Sequence, residues 1–414
     1  MSITRNDIEI MAPAGSFEAL TAAIDAGADA VYFGAGNLNM RSASSVNFTI
    51  NDLQRIADTC KEHNVRSYLT LNTVIYDDDM DAMKQMVEFA KESGISSIIA
   101  SDWSVIEYAR KIGVNIHCST QLNISNSSAL EYYAKYAEVI VLARELNLEK
   151  VTHIHNYIYN NNITAPSGNL VRIEMFIHGA LCMAISGKCY LSLHEFNRSA
   201  NRGACIQPCR RAYTVTEAET GYQLDIDNQY IMSPKDLCTI AFLDKIVNAG
   251  ASVLKIEGRG RSPEYVKTVV ECYNTALNAV FNDTYTDELI AELTKRLQSV
   301  FNRGFWDGYY LGQRLGEWSE RHSSSATKRK EFLGVGTNYF SRLGVGEFII
   351  QTGELEVGDE VLVIGPSTGV LEFTVSEIHN SKGQCQSASK GECFAIPVPS
   401  KTRRNDKLYK LVSN

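Results

Sequence analysis

Short apolar runs alternate with amphipathic stretches over the first 140 residues of the chain. The apolar runs are rich in β-branched and aromatic residues, as strands are. They cover residues 8–13, 30–34, 66–72, 97–100, 115–117 and 139–142. The stretches between them space their apolar residues as on one face of a helix, and they cover residues 17–25, 51–63, 79–93, 103–112 and 129–136. Strands that alternate with helices of this length predict parallel βαβ units.

Two later apolar runs, residues 171–177 and 253–257, raise the number of predicted strands to eight. A weak internal repeat supports this assignment. Residues 26–34 (AGADAVYFG) and 248–256 (NAGASVLKI) share a form in which a glycine ends a helix and a strand follows. The predicted fold class is therefore α/β, as a TIM-like βα barrel, with a doubly wound sheet as the alternative. The barrel is predicted to carry a long Cys-rich insertion at about residues 179–235, between its seventh and eighth strands.

The pattern changes towards the end of the chain. Helices are predicted over about residues 263–302, and the polar stretch 316–331 reads as a linker. Short strands with glycine turns then predict a small all-β barrel over residues 332–414. Its segment 356–365 resembles the second-domain β-barrel of translation elongation factors. The predicted organisation is thus a barrel domain over 1–315, a linker and a C-terminal β-barrel domain.

Composition and charge narrow the class of protein. The chain has 414 residues, 44% hydrophobic and 21% charged, which are globular proportions. No apolar stretch approaches the roughly 20 residues that span a bilayer, and the first residues show no secretory pattern, so we expect a cytoplasmic protein. The net charge of −8 means that an RNA partner would need a local basic patch. In a reducing compartment, the ten cysteines point to metal or redox chemistry rather than disulfides.

Four cysteines are clustered in the predicted insertion, namely Cys182, Cys189, Cys205 and Cys209. Four thiolates on a glycine-containing loop are what a [4Fe–4S] cluster requires, because soft sulfur ligands satisfy each iron. Zinc also accepts four thiolates, but its ligands usually come in tight pairs, and only Cys205 and Cys209 are spaced in that way. Four buried structural cysteines are a third interpretation. The spacing favours the iron–sulfur cluster.

Residues 174–192 (EMFIHGALCMAISGKCYLS) match every position of the pattern that defines the U32 "peptidase" or collagenase-like family. The segments 11–20 (MAPAGSFEAL) and 25–34 (DAGADAVYFG) are similar to the N-terminal strand pair of that family. The chain therefore resembles this family over about residues 8–315, and the C-terminal β-barrel is one that some members carry.

Within the family, the segment from His178 to Arg211 looks most like the branch that makes 5-hydroxyuridine in tRNA, with prephenate as a required metabolite. A sister branch hydroxylates a cytidine of large-subunit rRNA, and other relatives serve oxygen-independent ubiquinone synthesis. The resemblance implies a [4Fe–4S] protein with prephenate as cosubstrate and tRNA or rRNA as partner. Some ubiquinone-branch members take a fourth cluster ligand further downstream, so Cys238 competes with Cys209 for that role.

The peptidase name can be examined against the residues. The sequence contains neither a His-Glu-x-x-His zinc motif nor a Gly-x-Ser-x-Gly nucleophile motif. A cysteine protease needs a free activated thiolate beside a histidine, whereas the clustered thiols are assigned to the metal cluster. Hydrolysis is therefore the weaker hypothesis. A non-catalytic iron–sulfur partner in a multiprotein hydroxylation complex is a further alternative.

Polar residues end nearly every predicted strand, at the end of the barrel where βα-barrel enzymes keep their sites. Charged residues within strands are costly unless paired, so they indicate a polar pocket, although each one alone also fits a structural ion pair. The predicted catalytic residues are Glu174, His178, Lys255 and Glu257. The predicted substrate-binding residues are Arg41, Asn72, Gln121, Arg144 and Arg259.

Roles for these residues follow partly from the resemblance. Prephenate is a dicarboxylate, and guanidinium groups recognise such oxygens well, which favours Arg41, Arg144 and Arg259. His178 is the proposed proton-transfer group because its ordinary pKa lies near neutrality, and ordering of the cysteine loop is the alternative role for it.

Two local basic clusters could neutralise RNA phosphates. Predicted RNA-binding residues are Arg210 and Arg211 in the insertion and Arg403 and Arg404 in the tail. Tyr190 and Phe196 could stack an extruded base. Since a charge run is usually a solvated surface, the resemblance to tRNA-modifying proteins adds weight to this assignment.

Overall fold

A computed structural model describes residues 3–43, 47–224, 232–312, 316–320 and 324–414. Residues 225–231 of the predicted insertion, 313–315 of the predicted barrel domain and 321–323 of the predicted linker lie outside the described residues.

Eight parallel strands form the N-terminal barrel. They are β1 (Glu9–Pro13), β2 (Ala30–Gly34), β3 (Arg66–Leu71), β4 (Ser97–Ala100), β5 (Ile116–Cys118), β6 (Val139–Val141), β7 (Arg172–Ala180) and β11 (Ala251–Ile256). The last strand closes the barrel, because Leu254 is paired in parallel with Ile10 of β1 and with Met175 of β7. A doubly wound sheet would have two open edges. The predicted TIM-like barrel is therefore confirmed, with the insertion between its seventh and eighth strands.

Helices surround the barrel, and one short helix, α7 (Leu191–Phe196), lies in the insertion instead. The surrounding helices are α1 (Phe17–Asp25), α2 (Leu53–Glu62), α3 (Met80–Glu92), α4 (Trp103–Ile112), α5 (Ser127–Ala134), α6 (Leu148–Asn160), α8 (Leu243–Asn248), α9 (Pro263–Phe281) and α10 (Asp287–Ser299). Local sequence sets their ends: the Ser16 hydroxyl accepts from the Ala19 amide at the start of α1, and Gly113 ends α4 with a φ of 79°. No helix in the described ranges is long and apolar enough to cross a bilayer.

The insertion folds over the carboxyl ends of the barrel strands, and we call residues 181–213 the cap. Backbone hydrogen bonds join it to the loops after β2 and β3: the Ala43 amide donates to the Gly203 carbonyl and the Val74 amide to the Asn201 carbonyl, each at 3.1 Å. Beyond the cap lie β8 (Val215–Thr216), β9 (Gln223–Leu224), β10 (Asp236–Cys238) and, after α10, β12 (Phe305–Trp306). Strand β10 pairs antiparallel with β7 and parallel with β12, which extends the barrel wall under the cap.

The C-terminal region is an antiparallel structure with its own apolar core around Phe348 and Phe394. Its strands are β13 (Lys328–Phe340), β14 (Val345–Ile350), β15 (Glu354–Glu356), β16 (Glu360–Gly365), β17 (Gly369–Thr374), β18 (Ile378–Asn380), β19 (Gly383–Cys385), β20 (Ser387–Ser389), β21 (Cys393–Pro397) and β22 (Lys407–Ser413). The first strand begins at Lys328, so the prediction that the linker extends to residue 331 is wrong. Charged residues can lie in that strand because its pairing with β22 uses the backbone alone.

This C-terminal region packs on the outside of the barrel. Val370 and Leu362 bury their side chains against Ala22 of α1, and the Lys330 ammonium pairs with Glu264 of α9 at 2.8 Å. Two helices of the barrel thus form the surface on which the C-terminal sheet rests.

Candidate functional site

A cavity of about 280 Å³ lies between the carboxyl ends of the barrel strands and the cap. This is the end of the fold at which βα barrels hold their ligands. Its walls bring together most of the residues predicted to form the site: Arg41, Asn72, Gln121, Arg144, Lys255, Glu257, Arg259, Arg210 and the four cysteines Cys182, Cys189, Cys205 and Cys209.

Glu257 is a carboxylate held among arginines. Its Oε1 accepts from Arg41 Nη2 at 2.8 Å. Burial acts to raise the pKa of Glu257, but the positive charges of Arg41, Arg144 and Arg259 outweigh burial and lower the pKa to about 2. Glu257 is therefore ionised at neutral pH, which suits it to orient Arg41 rather than to donate a proton.

Arg259 is fixed on the cavity floor. Its Nη1 donates to the Asn39 Oδ1 at 3.1 Å and to the Thr70 hydroxyl at 2.6 Å. Gly34 makes room for it, because a Cβ at that position would lie 2.8 Å from the same Nη1. Burial lowers the pKa of Arg259, yet an arginine remains a cation at neutral pH.

Arg144 has unused hydrogen-bonding capacity. Its guanidinium lies over the Phe176 ring at 3.9 Å from the ring centre. Its Nε is buried and has no hydrogen-bond partner among the described atoms. A buried donor without a partner is unfavourable, so this nitrogen is suited to an anionic ligand in the cavity.

Amide and hydroxyl groups form another part of the cavity wall. Asn72 Nδ2 donates to the Ser119 hydroxyl at 3.3 Å and to Gln121 Oε1 at 3.4 Å, and the Ser119 hydroxyl also donates to that Oε1. Gly187 of the cap packs on this group, since a Cβ there would lie 3.0 Å from the Gln121 Cβ. The cap and the strand ends therefore meet around these polar side chains.

Lys255 lies on the floor, with Glu174 beneath it. Lys255 Nζ is 2.7 Å from Glu174 Oε1, and Glu174 Oε2 is 3.6 Å from Nδ1 of His117. Glu174 is fully buried and does not line the cavity. Burial acts to raise the pKa of Glu174, but Lys255 and His117 outweigh it and lower it. Glu174 therefore supports Lys255 from below rather than facing the cavity, and its predicted catalytic role stays a prediction.

His178 is also misplaced for the predicted proton transfer. A bulge in β7 pairs Lys255 with Phe176 and the next residue, Ile256, with His178. This extra residue breaks the alternation of faces, so Phe176 points into the cavity while His178 packs against Tyr273 and Phe305. Burial lowers the pKa of His178 to about 3. The prediction that His178 acts in the site is wrong, because the ring is buried in the barrel wall and neutral.

The four clustered cysteines line one side of the same cavity. Burial raises the pKa of Cys209 to about 11, Arg210 acts against this, and the other three thiols raise it further, which shows that the four are neighbours. Among the described residues, no three His, Cys, Asp or Glu side chains converge closely enough for a single metal ion. The [4Fe–4S] cluster that the cysteine spacing favours stays a prediction.

Cys238 is not placed to compete for the cluster. Its thiol accepts from the Tyr273 hydroxyl at 3.9 Å within the barrel wall, and burial raises its pKa to about 11. It does not line the cavity. Cys209 is thus the better-placed fourth thiol.

Arg210 does not have the exposed position predicted for an RNA contact. Its Nη1 donates to the Ser233 hydroxyl at 3.0 Å and its Nη2 to the Leu181 carbonyl at 2.5 Å. Burial lowers its pKa. That prediction is wrong, because the guanidinium already fastens the cap to the segment before β10.

Exposed aromatic side chains surround the cap. Tyr190 is 72% exposed, Arg211 lies over Phe196 at 4.9 Å, and Arg202 lies over Tyr76 at 4.0 Å. Tyr190, Phe196 and Arg211 are candidates for RNA contact from the sequence, and that role stays a prediction. The pairing of Arg202 with Tyr76 joins residues far apart in the chain, so sequence reasoning missed it.

The basic residues of the tail lie elsewhere. Arg403 and Arg404 are exposed, and Arg403 Nη1 donates to the Ser367 carbonyl at 2.8 Å. The adjoining Pro366 carbonyl accepts from Thr21 of α1. This cluster therefore sits on the flank of the barrel rather than at its mouth, and RNA binding by it stays a prediction.

Three charged residues near the cavity were missed. Arg261 and Arg303 line it, with Asp236 between them at 3.9 and 3.3 Å. Nothing local in the sequence marks them, because they come from three separate segments. His117 was also missed, although a polar residue within an apolar strand is the signal that identified Glu174.

The sequence was compared with known proteins. A collagenase of Porphyromonas gingivalis is 58% identical over 98% of this chain and 98% of its own length. A tRNA hydroxylation protein of Bacillus subtilis is 31% identical over 91% of this chain and 87% of its own. A 23S rRNA 5-hydroxycytidine synthase of Escherichia coli is 30% identical over 77% of this chain and 47% of its own.

The family assignment agrees with these relatives and with the motif. The model of peptidase family U32 matches residues 15–320, which include the barrel from α1 onwards, the cap and the residues that line the cavity. The names of these relatives describe two different activities. Membership of the family therefore does not by itself identify the reaction, which has to be inferred from the residues of the site. On the barrel, the cysteine-bearing cap and this match, the chain belongs to peptidase family U32.

Proposed function

We propose that this protein hydroxylates a pyrimidine base of RNA, a tRNA uridine or an rRNA cytidine, using a [4Fe–4S] cluster and a prephenate-like dicarboxylate. The observation that carries the proposal is that four thiols and six guanidinium groups line the same cavity. A metabolite bound by the arginines would thus lie beside the cluster. The RNA-hydroxylating relatives support the same reaction class.

Charge in the cavity favours a dianionic ligand. Six guanidinium groups and Lys255 line the cavity, whereas the carboxylates beside them are Glu257, Glu174 and Asp236. Positive charge is therefore in excess around a ligand, and Arg144 Nε has no hydrogen-bond partner among the described residues. Guanidinium groups bind carboxylates through paired, charge-assisted hydrogen bonds. A volume of about 280 Å³ suits a small dicarboxylate.

Cys182, Cys189, Cys205 and Cys209 would hold the cluster, which supplies one-electron chemistry when bound. The chain provides its surroundings. Ser192 lies against Cys205, with its hydroxyl 3.9 Å from the sulfur and 3.2 Å from the Ile206 amide. Arg210 fastens the loop that carries Cys182 by its bond to Leu181. These contacts order the thiols before any cluster binds.

The cap offers a surface for unpaired RNA. Single-stranded bases stack on aromatic and guanidinium planes, and Tyr190, Phe196 with Arg211, and Tyr76 with Arg202 present such planes beside the cavity. The base to be modified must leave its stack to reach a buried site. Loop nucleotides satisfy that requirement at least cost.

The proposal is tested by mass spectrometry of tRNA and rRNA nucleosides from a strain that lacks the protein. We expect a 5-hydroxypyrimidine to disappear, to return with the wild-type chain, and to stay absent with Arg144→Ala. The matched control is Arg110→Ala, a half-exposed arginine of α4, which should restore the nucleoside. An unchanged nucleoside profile in the deletion strain would refute RNA hydroxylation.

Peptide hydrolysis is the second candidate, because a relative that is 58% identical carries the name collagenase. Within the described ranges, no histidine side chain is hydrogen-bonded to a serine, threonine or cysteine side chain, as a nucleophile and its base would be. Pure protein should therefore leave gelatin intact. Cleavage that Arg144→Ala abolishes would favour the peptidase over the hydroxylase.

A further inference from the structure

The proposed function leaves the buried amine of Lys255 without a chemical role. This side chain lines the cavity floor but is only 5% exposed. Its Nζ lies over the faces of Tyr32 and Phe176, 4.6 and 5.5 Å from their ring centres. The amine thus meets the cavity from a largely water-free pocket.

The neighbours of Lys255 are those of a nucleophilic lysine. Amines become nucleophiles in proteins when they are desolvated or lie beside another cation, provided that a proton acceptor is near. Arg259 lies over the same Tyr32 ring, 5.9 Å from its centre. Glu174 Oε1 lies 2.7 Å from Nζ and can accept its proton.

A second acceptor stands behind Glu174. Its Oε2 and the Nδ1 of His117 are 3.6 Å apart, and neither atom has a hydrogen-bond partner among the described residues. Both side chains are at least nine-tenths buried. Glu174 and His117 therefore form a buried pair beneath Lys255 that can take up its proton, and neither side chain lines the cavity.

We propose that Lys255 forms a Schiff base with the keto carbonyl of a 2-oxo acid whose carboxylate is held by the cavity arginines. The inference rests on the proposed function only in taking the cavity as a site for a carboxylate metabolite. The arginines explain binding of the carboxylate, and the buried amine requires a carbonyl within its reach.

The step balances without an oxidant or a reductant. The Lys255 ammonium gives one proton to Glu174, and the nitrogen lone pair attacks the carbonyl carbon. The carbonyl oxygen takes up one proton from Glu174 and one from the attacking nitrogen and leaves as water, while the C=N bond forms and the imine nitrogen keeps one proton. Hydrolysis reverses the step and restores the ammonium and its pair with Glu174.

Borohydride trapping tests the inference on the purified full-length chain. The protein is incubated with pyruvate or with prephenate, reduced with sodium borohydride, and examined by intact-mass spectrometry and peptide mapping. We expect one adduct per chain, of the mass of the acid less one oxygen atom, on Lys255. Lys255→Arg keeps the charge and should give no adduct, whereas Lys188→Arg, at an exposed position of the cap, should react like the wild type. Glu174→Gln should slow trapping roughly 100-fold, as loss of a proton acceptor does.

Each outcome separates this inference from the proposed function. No adduct with either acid, or an adduct mapped to another lysine, overturns the Schiff base even if the variants fail to fold, because mapping uses the wild type. An adduct on Lys255 in a protein whose deletion leaves RNA nucleosides unchanged supports the Schiff base and refutes the RNA reaction.

Discussion

Single side chains decide the charge of the cavity and its chemistry. The arginines differ in their hydrogen-bond partners. Arg41 pairs with Glu257, and Arg259 donates to Asn39 and Thr70. Arg144 has a buried Nε without a partner among the described residues. Arg144 is thus best placed to bind a ligand, while the other two set the field around it. The same guanidinium groups explain why Glu257 remains a carboxylate despite its burial.

Glu257 should make stability depend on pH in the acid range. Its pKa falls from 4.5 to about 2 in the folded protein, so its stabilisation is present above the higher value and lost as the pH falls towards the lower one. We expect urea unfolding, followed by circular dichroism, to show that Glu257→Gln is less stable than the wild type at neutral pH. As the pH falls from 4.5 to about 2, the variant should lose less stability than the wild type loses. The exposed-site control, Glu219→Gln, should follow the wild type. Parallel curves for Glu257→Gln and the wild type would contradict the assignment.

Whole segments meet at the cap, whose docking depends on close backbone approach. Gly203 has a φ of 82° and its Cβ would lie 2.1 Å from the Ser42 hydroxyl and 2.4 Å from the Asn39 carbonyl. Arg210 holds the other side of the cap by its bonds to Leu181 and Ser233. The cap is therefore held firmly against the barrel. Its position sets the distance between the four cysteine thiols and the arginines of the barrel.

Gly203→Ala should loosen the cap without unfolding the barrel. The added methyl group meets backbone and the left-handed conformation disfavours it, while the barrel contacts are unchanged. We expect faster hydrogen exchange in residues 181–213 and in residues 39–43, with strand amides unaffected. Gly221→Ala is the matched control, because Gly221 also has a positive φ, of 73°, but open space around it. Equal exchange in both variants would show that the close contact does not seat the cap.

Two adjacent arginines should separate cap anchoring from RNA contact. Arg211→Ala should weaken RNA binding and lower its salt slope by about one unit, as loss of one phosphate contact does. Arg210→Ala should leave that slope unchanged and instead reduce the iron content of anaerobically prepared protein. Filter binding over a range of salt, with iron analysis, measures both. A lower slope in Arg210→Ala with full iron would restore the original RNA prediction for Arg210.

Taken together, the two folded units share a surface that is distant from the cavity mouth. The C-terminal sheet rests on α1 and α9 through Val370, Leu362 and Ala22, and the tail arginines lie on that flank. The sheet therefore extends the molecule sideways, away from the cavity mouth.

Val370→Asp should weaken the attachment of the C-terminal sheet. Val370 is 3% exposed against α1, and a buried charge without a partner is strongly unfavourable. We expect calorimetry of the variant to show separate unfolding transitions for the barrel and the C-terminal sheet. In the wild type these two transitions should lie closer together in temperature. Leu343→Asp, at a 75% exposed turn of the same sheet, should unfold like the wild type. Unchanged unfolding of Val370→Asp would mean that the interface contributes no stability.

The alternation of apolar strands with amphipathic helices was sufficient to predict eight barrel strands, their order and the insertion between the last two. That information is local, because strand and helix periodicities are properties of consecutive residues. The motif singled out the four cysteines and the strand ends singled out Arg41, Arg144, Lys255, Glu257 and Arg259, but that both sets line one cavity is visible only in the structure.

Three-dimensional contacts decided the remainder. A bulge turned His178 out of the site, burial made Glu174 a support for Lys255, and packing occupied Arg210 with the cap. A bulge decides which face a side chain takes, and it depends on the neighbouring strand. The partner of a buried cation likewise comes from a segment far away in the chain. Asp236 between Arg261 and Arg303 is the plainest case, because three distant segments meet there. Residue type and spacing could predict the chemistry present in the chain, and only folding could assign each group its neighbour.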